Sequence, residues 1–136
     1  MATMSPEVQE VFTKVPDAYF ATANADGQPN VNVIGMKKVI DDETLYLSDQ
    51  FFTKTLANLK ENTKVAVIFH EGQNAYQIHG TARYVCEGAE YEEQAAWVNA
   101  IFEAKGSPLR AKGGVFVHVD SVFSAAGGPT AGKQLA

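Results

Sequence analysis

Residues 45–59, LYLSDQFFTKTLANL, decide how this chain is read. Leu45, Tyr46 and Leu47 open the stretch as a strand, a short polar and aromatic connection follows, and a helix begins at Thr53 with Leu56 and Leu59 behind it. The join carries Thr53-Lys54-Thr55, two hydroxyls flanking one cation in the first turn. A helix N-terminus already presents unpaired N–H groups and the positive end of the macrodipole. Hydroxyl donors and a lysine added there make a cradle for a phosphate. The plainer use of the same residues is that Thr53 caps the helix, as threonine commonly does.

Working outward toward the N-terminus, Ser5-Pro6 reads as N-cap and first helical residue. Val8, Val11, Phe12 and Val15 follow at helical spacing until Pro16 ends the element. Ala18 to Asn24 reads as a compact strand, and Asp26-Gly27 as a turn. A second, long strand is expected from Asn30 to Ile40, opened by Pro29 and forming a hairpin with the first. Asp41-Asp42-Glu43 turns the chain into the third strand, Thr44 to Ser48.

Beyond the helix, Lys64 to His70 (KVAVIFH) is a near-continuous apolar run, expected to be a central strand buried on both faces. Ala75 to Cys86 is a long strand with Gly80 in its middle, which points to a bulge, a barrel bend or a close ligand. Glu87 to Lys105 reads as a helix with an inward stripe of Tyr91, Ala95, Val98, Ile101 and Phe102, leaving Trp97 off that stripe. Val115 to Phe123 is the last strand, and the glycine-rich tail 124–136 is expected to lie over the surface. The expected fold is mainly β within an α+β class: a single domain over residues 1–136, in which six antiparallel strands with peripheral helices close into a barrel that removes exposed edges.

A chain of 136 residues fits one such domain. The formal net charge of −5 argues against a nucleic-acid binder, which needs a basic stripe, but leaves room for a small anion held by one lysine. The single cysteine, Cys86, cannot form an internal disulfide. No run reaches the length of a membrane span and the N-terminus has no signal-like apolar region, so a cytoplasmic protein is expected.

Several motifs fail on inspection. Gly127 to Lys133 has P-loop spacing, but Gln134 stands where the magnesium-binding hydroxyl belongs and no helix follows. Lys133 on that arm remains a residue that would fold over a bound ligand. His70, His79 and His118 fall on separate strands without metal-ligand spacing. With no nucleophile signature either, chemistry here is expected to come from a cofactor. Gly35 would let a flat ring approach the backbone, and Asn32 and Gln77 would meet the edge of a heterocycle. The plainer readings are a bulge at Gly35 and solvent-facing positions at Asn32 and Gln77.

Taken in order, these features resemble the FMN-binding split barrel of the pyridoxamine 5'-phosphate oxidase-like family. The resemblance covers about Val8 to Val85. It rests on the hairpin through Asp26-Gly27-Gln28-Pro29, the run Asn32 to Lys37, the strand end Leu47-Ser48, Thr53-Lys54-Thr55, and Tyr76-Gln77-Ile78-His79-Gly80-Thr81-Ala82. It implies that Asn32, Val33, Ile34, Gly35, Met36 and Lys37 line the isoalloxazine ring, largely through backbone. Leu47 and Ser48 would lie beside the ring or ribityl chain, and Thr53, Lys54 and Thr55 would hold the phosphate. Gln77 would reach the flavin of a second subunit, so a homodimer with FMN at its interface is implied.

Two departures separate this chain from the oxidase proper: Asn32 replaces an arginine, and the arginine-containing substrate segment gives way to GGPTAGKQLA. The resemblance is therefore to the small FMN-binding redox proteins of the group, with the electron donor and acceptor unnamed. A deazaflavin-dependent reductase and a non-catalytic small-ligand-binding barrel are the rival expectations.

Overall fold

The computed structural model describes residues 2–136. The elements run α1 (Pro6–Lys14), β1 (Ala18–Ala23), β2 (Pro29–Ile34), β3 (Lys37–Asp41), β4 (Thr44–Ser48), α2 (Lys54–Glu61), β5 (Lys64–Glu71), β6 (Asn74–Val85), α3 (Ala89–Ala104) and β7 (Gly114–Ser124). Local chemistry explains the first helix: the Ser5 side chain accepts from the Val8 amide, and Pro6 occupies the first turn, where no N–H is needed. Gly27, at φ 84°, takes the left-handed turn between β1 and β2.

The strands form one antiparallel sheet in the order β2-β1-β5-β6-β7-β4-β3. Its two edge strands, β2 and β3, are consecutive in sequence and separated only by Gly35 and Met36. A two-residue link cannot span a flat seven-stranded sheet at about 4.8 Å per strand. The sheet must therefore curl until its edges meet, and the barrel is closed at that point by the chain itself. This corrects the strand expected from Asn30 to Ile40: it is two strands on opposite edges, which makes seven strands in place of six. Ser48 marks the same seam, its amide donating to the Met36 carbonyl at 2.9 Å.

The barrel interior is filled by Phe12, Phe20, Leu45, Leu47, Val67, Phe69, Ile78, Val115, Val117 and Val119, all buried. A smaller cluster of Tyr46, Val98, Phe102 and Phe116 lies between α3 and the outer face of β4 and β7. The run Lys64 to His70 departs from expectation, because β5 alternates. Val65, Val67 and Phe69 point inward, whereas Ala66 and Ile68 are only half-buried on the outside. The tail folds back along β7, with a bridge between Phe123 and Gln134 and the Leu135 amide donating to the Val122 carbonyl.

Candidate functional site

The seam at Gly35-Met36 opens into a cavity of about 640 Å³, within the range common for small-molecule sites. One wall is the backbone ridge Asn32 to Lys37 together with Ser48; the other is α3 and the start of its following loop, through Trp97, Ile101, Phe102, Lys105 and Leu109. Gln50, Phe51 and Phe52 form the rim between them.

Gly35 is exposed and its φ is not left-handed, and a Cβ there would lie 3.6 Å from Asp17 Oδ1. Neither backbone geometry nor packing demands a glycine at this point of the ridge. Lys37 is half-buried in the ridge, and its ammonium donates to the Phe12 and Val15 carbonyls (2.7 Å to Val15) at the end of α1. Burial lowers its pKa from the ordinary lysine range, against the opposing pull of Asp17. Its charge is spent on the helix terminus.

Asn32 joins the cavity to α2. Its Oδ1 accepts the Thr55 hydroxyl at 2.8 Å, and Thr55 accepts from Asn30 Nδ2 at 3.0 Å. Asn30 and Asn58 both donate to Thr22 Oγ1, so one polar network fixes the first turn of α2 against β1 and β2. Thr53 is the N-cap residue, yet its side chain makes no capping bond. The helix end is therefore uncapped, and Lys54 beside it is exposed and without an ion pair among the described residues. That is the arrangement an anion completes: free N–H groups, a positive dipole end, a hydroxyl and a cation.

The rim is held by Asp49, which is 1% exposed. Its carboxylate accepts the Phe52 amide at 2.9 Å and the Tyr84 hydroxyl at 2.6 Å, and Lys112 Nζ stands 3.7 Å away. Its own amide donates to the Gly113 carbonyl at 2.9 Å. Burial and the Asp49 bond push the Tyr84 hydroxyl's pKa upward. Nearby, the Tyr46 hydroxyl is buried without a partner among the described residues, and burial raises its pKa to about 12.

Comparison with known proteins meets this geometry. The family model for pyridoxamine 5'-phosphate oxidase matches residues 4–122. The chain belongs to this family. A Methanocaldococcus jannaschii protein named only as the uncharacterised protein MJ0282 is 38% identical over 121 residues, covering 87% of this chain and 78% of that one. The structure of HupZ from Group A Streptococcus superposes with a TM-score of 0.78 at 27% identity, over 95% of this chain and 99% of that one. An FMN-binding protein from Syntrophomonas wolfei shares the fold with a TM-score of 0.66 at 18% identity, over 83% and 79% of the two chains. At 17–19% identity the same fold is that of an F420 reductase, a haem storage protein from Vibrio cholerae and a FAD-binding protein from Mesorhizobium loti. The split barrel expected from sequence is thus the family's fold.

Within this family member, Asn32, Val33, Ile34, Gly35, Met36, Lys37 and Ser48 come together around the cavity. Thr53, Lys54 and Thr55 stand at the adjoining helix end, reached through Asn32. Leu47 differs: its side chain is fully buried in the barrel core. Gln77 does not line this cavity; it lies on the outer face of the sheet, in the cross-strand row Val33–Tyr19–Ile68–Gln77–Phe123. Lys133 sits beside Ser124 on the returning tail, and does not line the cavity. Sequence reading missed Asp49, the rim aromatics and the α3 wall. The last had a signal, because Trp97, Ile101 and Lys105 recur at i, i+4 and i+8, a second face of the same helix.

Proposed function

We propose that this protein is a homodimeric flavoprotein that holds FMN non-covalently for oxidoreduction or electron transfer. The observation that carries the reading is continuity: Asn32 lines the cavity and is hydrogen-bonded to Thr55, in the uncapped first turn of α2 that Lys54 flanks. FMN joins a flat ring to a phosphate by a flexible chain, and this chain offers a match at both ends. The Asn32–Lys37 ridge, open at Gly35, would bind the ring; Thr53, Lys54, Thr55 and the first-turn amides would hold the phosphate. When bound, FMN supplies the redox chemistry. The protein's part is to orient the ring, to shield it with the Phe51-Phe52 rim that Asp49 pins, and to anchor the phosphate. With Lys37 committed to the end of α1 and Asn32 in place of an arginine, the ridge has no spare cation for a phosphorylated substrate, which speaks against vitamin B6 oxidation.

The outer face of β2, β1 and β5 supports the dimer reading. Val31 is 64% exposed and Val33 59%, with Tyr19, Ala66 and Ile68 beside them. An apolar patch of this kind on a sheet face is the usual mark of a partner surface, and Gln77, in the same face, would reach the second subunit's site from there. Val33→Lys is expected to give a monomer in sedimentation with the barrel intact; an unchanged sedimentation coefficient would remove this face from the dimer.

The deciding experiment is the absorbance spectrum of freshly purified protein, followed by identification of the released chromophore. FMN on release supports the reading, and FAD or F420 would replace the cofactor. A colourless protein that fails to bind added FMN would overturn it.

A further inference from the structure

Helix α3 has two working faces. Tyr91, Ala95, Val98 and Phe102 are buried against the barrel, while Trp97, Ile101 and Lys105 turn toward the cavity. Eight residues at 1.5 Å each place Trp97 and Lys105 about 12 Å apart along the axis. Leu109 and the rim residue Phe51, 39% and 75% exposed, extend the apolar surface to the mouth. Two lysines that might have made this side polar are already engaged. Lys37 donates to the end of α1, and Lys38 stands 5.0 Å from the centre of the Trp97 ring and 3.4 Å from Gln94 Oε1. Beside the indole N–H of Trp97, Lys105 is thus the one polar group and the one charge on the α3 wall among the described residues; it is exposed at the outer end and without an ion pair.

We propose that the α3 wall is the binding site for a flat, apolar ring carrying a single anionic group, the ring lying against Trp97 and Ile101 and the anion reaching Lys105. This rests on the flavin reading, which assigns the opposite ridge to the cofactor and leaves the α3 side to its reaction partner. The ligand class follows from what the wall can satisfy. A ring with several polar substituents would lose water hydrogen bonds against this wall and find one indole N–H there to replace them, since Asn32, Ser48 and Gln50 belong to the ridge and the rim. A phosphate at the inner end would be buried without a counter-charge. An aromatic monocarboxylate meets neither cost, since its charge stays at the wet end of the stripe.

The test is calorimetric titration of FMN-loaded protein with 2-naphthoate, beside pyridoxal 5'-phosphate as the polar-ring, phosphorylated comparison. The expected result is one naphthoate per subunit, bound more tightly than pyridoxal 5'-phosphate and without release of FMN. Ile101→Asp and Leu109→Asp should each weaken naphthoate at least about tenfold, as a charge set into an apolar contact does. Lys105→Ala should weaken it about threefold, the scale of one exposed charge pair. Flavin content should stay unchanged in all three variants. Expulsion of FMN by naphthoate, indifference to the Ile101 and Leu109 changes, or tighter binding of pyridoxal 5'-phosphate would each overturn the proposal. If the wild-type protein takes up no FMN, the flavin reading fails by itself. The same variants on flavin-free protein then decide whether the wall binds the ring: a retained tenfold loss upholds the wall and no loss removes it.

Discussion

Gly80 and Gly35 look alike in the sequence, each a lone glycine inside a strand-like run, but the structure gives them opposite reasons to exist. Gly80 sits opposite the bulge in β7, where Asp120 is the extra residue between the partners of His79 and Gly80. A Cβ there would lie 2.5 Å from Val117 Cγ1 and 2.7 Å from the His118 carbonyl oxygen, so the barrel wall itself forbids a side chain. At Gly35 a Cβ would meet nothing closer than 3.6 Å, and the residue is exposed beside the cavity. A glycine required by its own chain belongs to the fold. One that its own chain does not require leaves space that a bound ring can use.

This contrast can be broken at several points. The largest effect is expected at Gly80: Gly80→Ala should cost about 2–3 kcal/mol in urea unfolding, because backbone and a packed valine must both move. On the cavity side the effects should fall on the cofactor. Lys54→Ala should weaken FMN about 10- to 100-fold by fluorescence titration, the size expected for losing a charged phosphate contact, while the unfolding midpoint of the flavin-free protein stays in place. Gly35→Leu should weaken FMN about tenfold yet shift stability by less than about 0.5 kcal/mol. Equal stability losses at Gly35 and Gly80 would erase the distinction between the two glycines.

The smallest effect concerns Tyr46, whose buried hydroxyl has no partner among the described residues. Tyr46→Phe should leave stability at neutral pH unchanged or raise it by up to about 1 kcal/mol, since it deletes an unsatisfied polar group. The pH dependence sharpens this. The Tyr46 pKa rises from 10.0 to about 12 on burial. Below the ordinary value, folded and unfolded chains both keep the proton; above it the unfolded chain releases it first, so stability falls as pH climbs from about 10 to about 12. Urea midpoints across that window should fall less steeply in the variant.

Much of the fold was legible where the cause is local. Ser5-Pro6 capping α1, the Gly27 turn and the strand-to-helix change between Leu47 and Lys54 all depend on residues within a few positions of one another. The ridge Asn32–Lys37 and the Thr53–Thr55 turn were legible as a candidate site through the family resemblance. The break at Gly35-Met36 was not, because an apolar run reads the same whether it continues along one edge of a sheet or crosses to the other. Asp49 was equally silent, its partners Tyr84 and Lys112 being far away in sequence.

The sequence by itself determined which segments become helix or strand, most of their bounds outside the run 30–40, and that a helix end carrying Thr53 and Lys54 would follow Leu47. Tertiary structure alone decided the rest. Closing the barrel through a two-residue link brought two edge strands together and made the cavity. That closure set Trp97, Ile101 and Lys105 opposite a ridge some sixty residues earlier in the chain, and left Val31 and Val33 facing outward. Periodicity and capping are short-range and can be read along the chain. Which faces meet is set by burying the greatest apolar area across distant segments, and no local pattern encodes that choice.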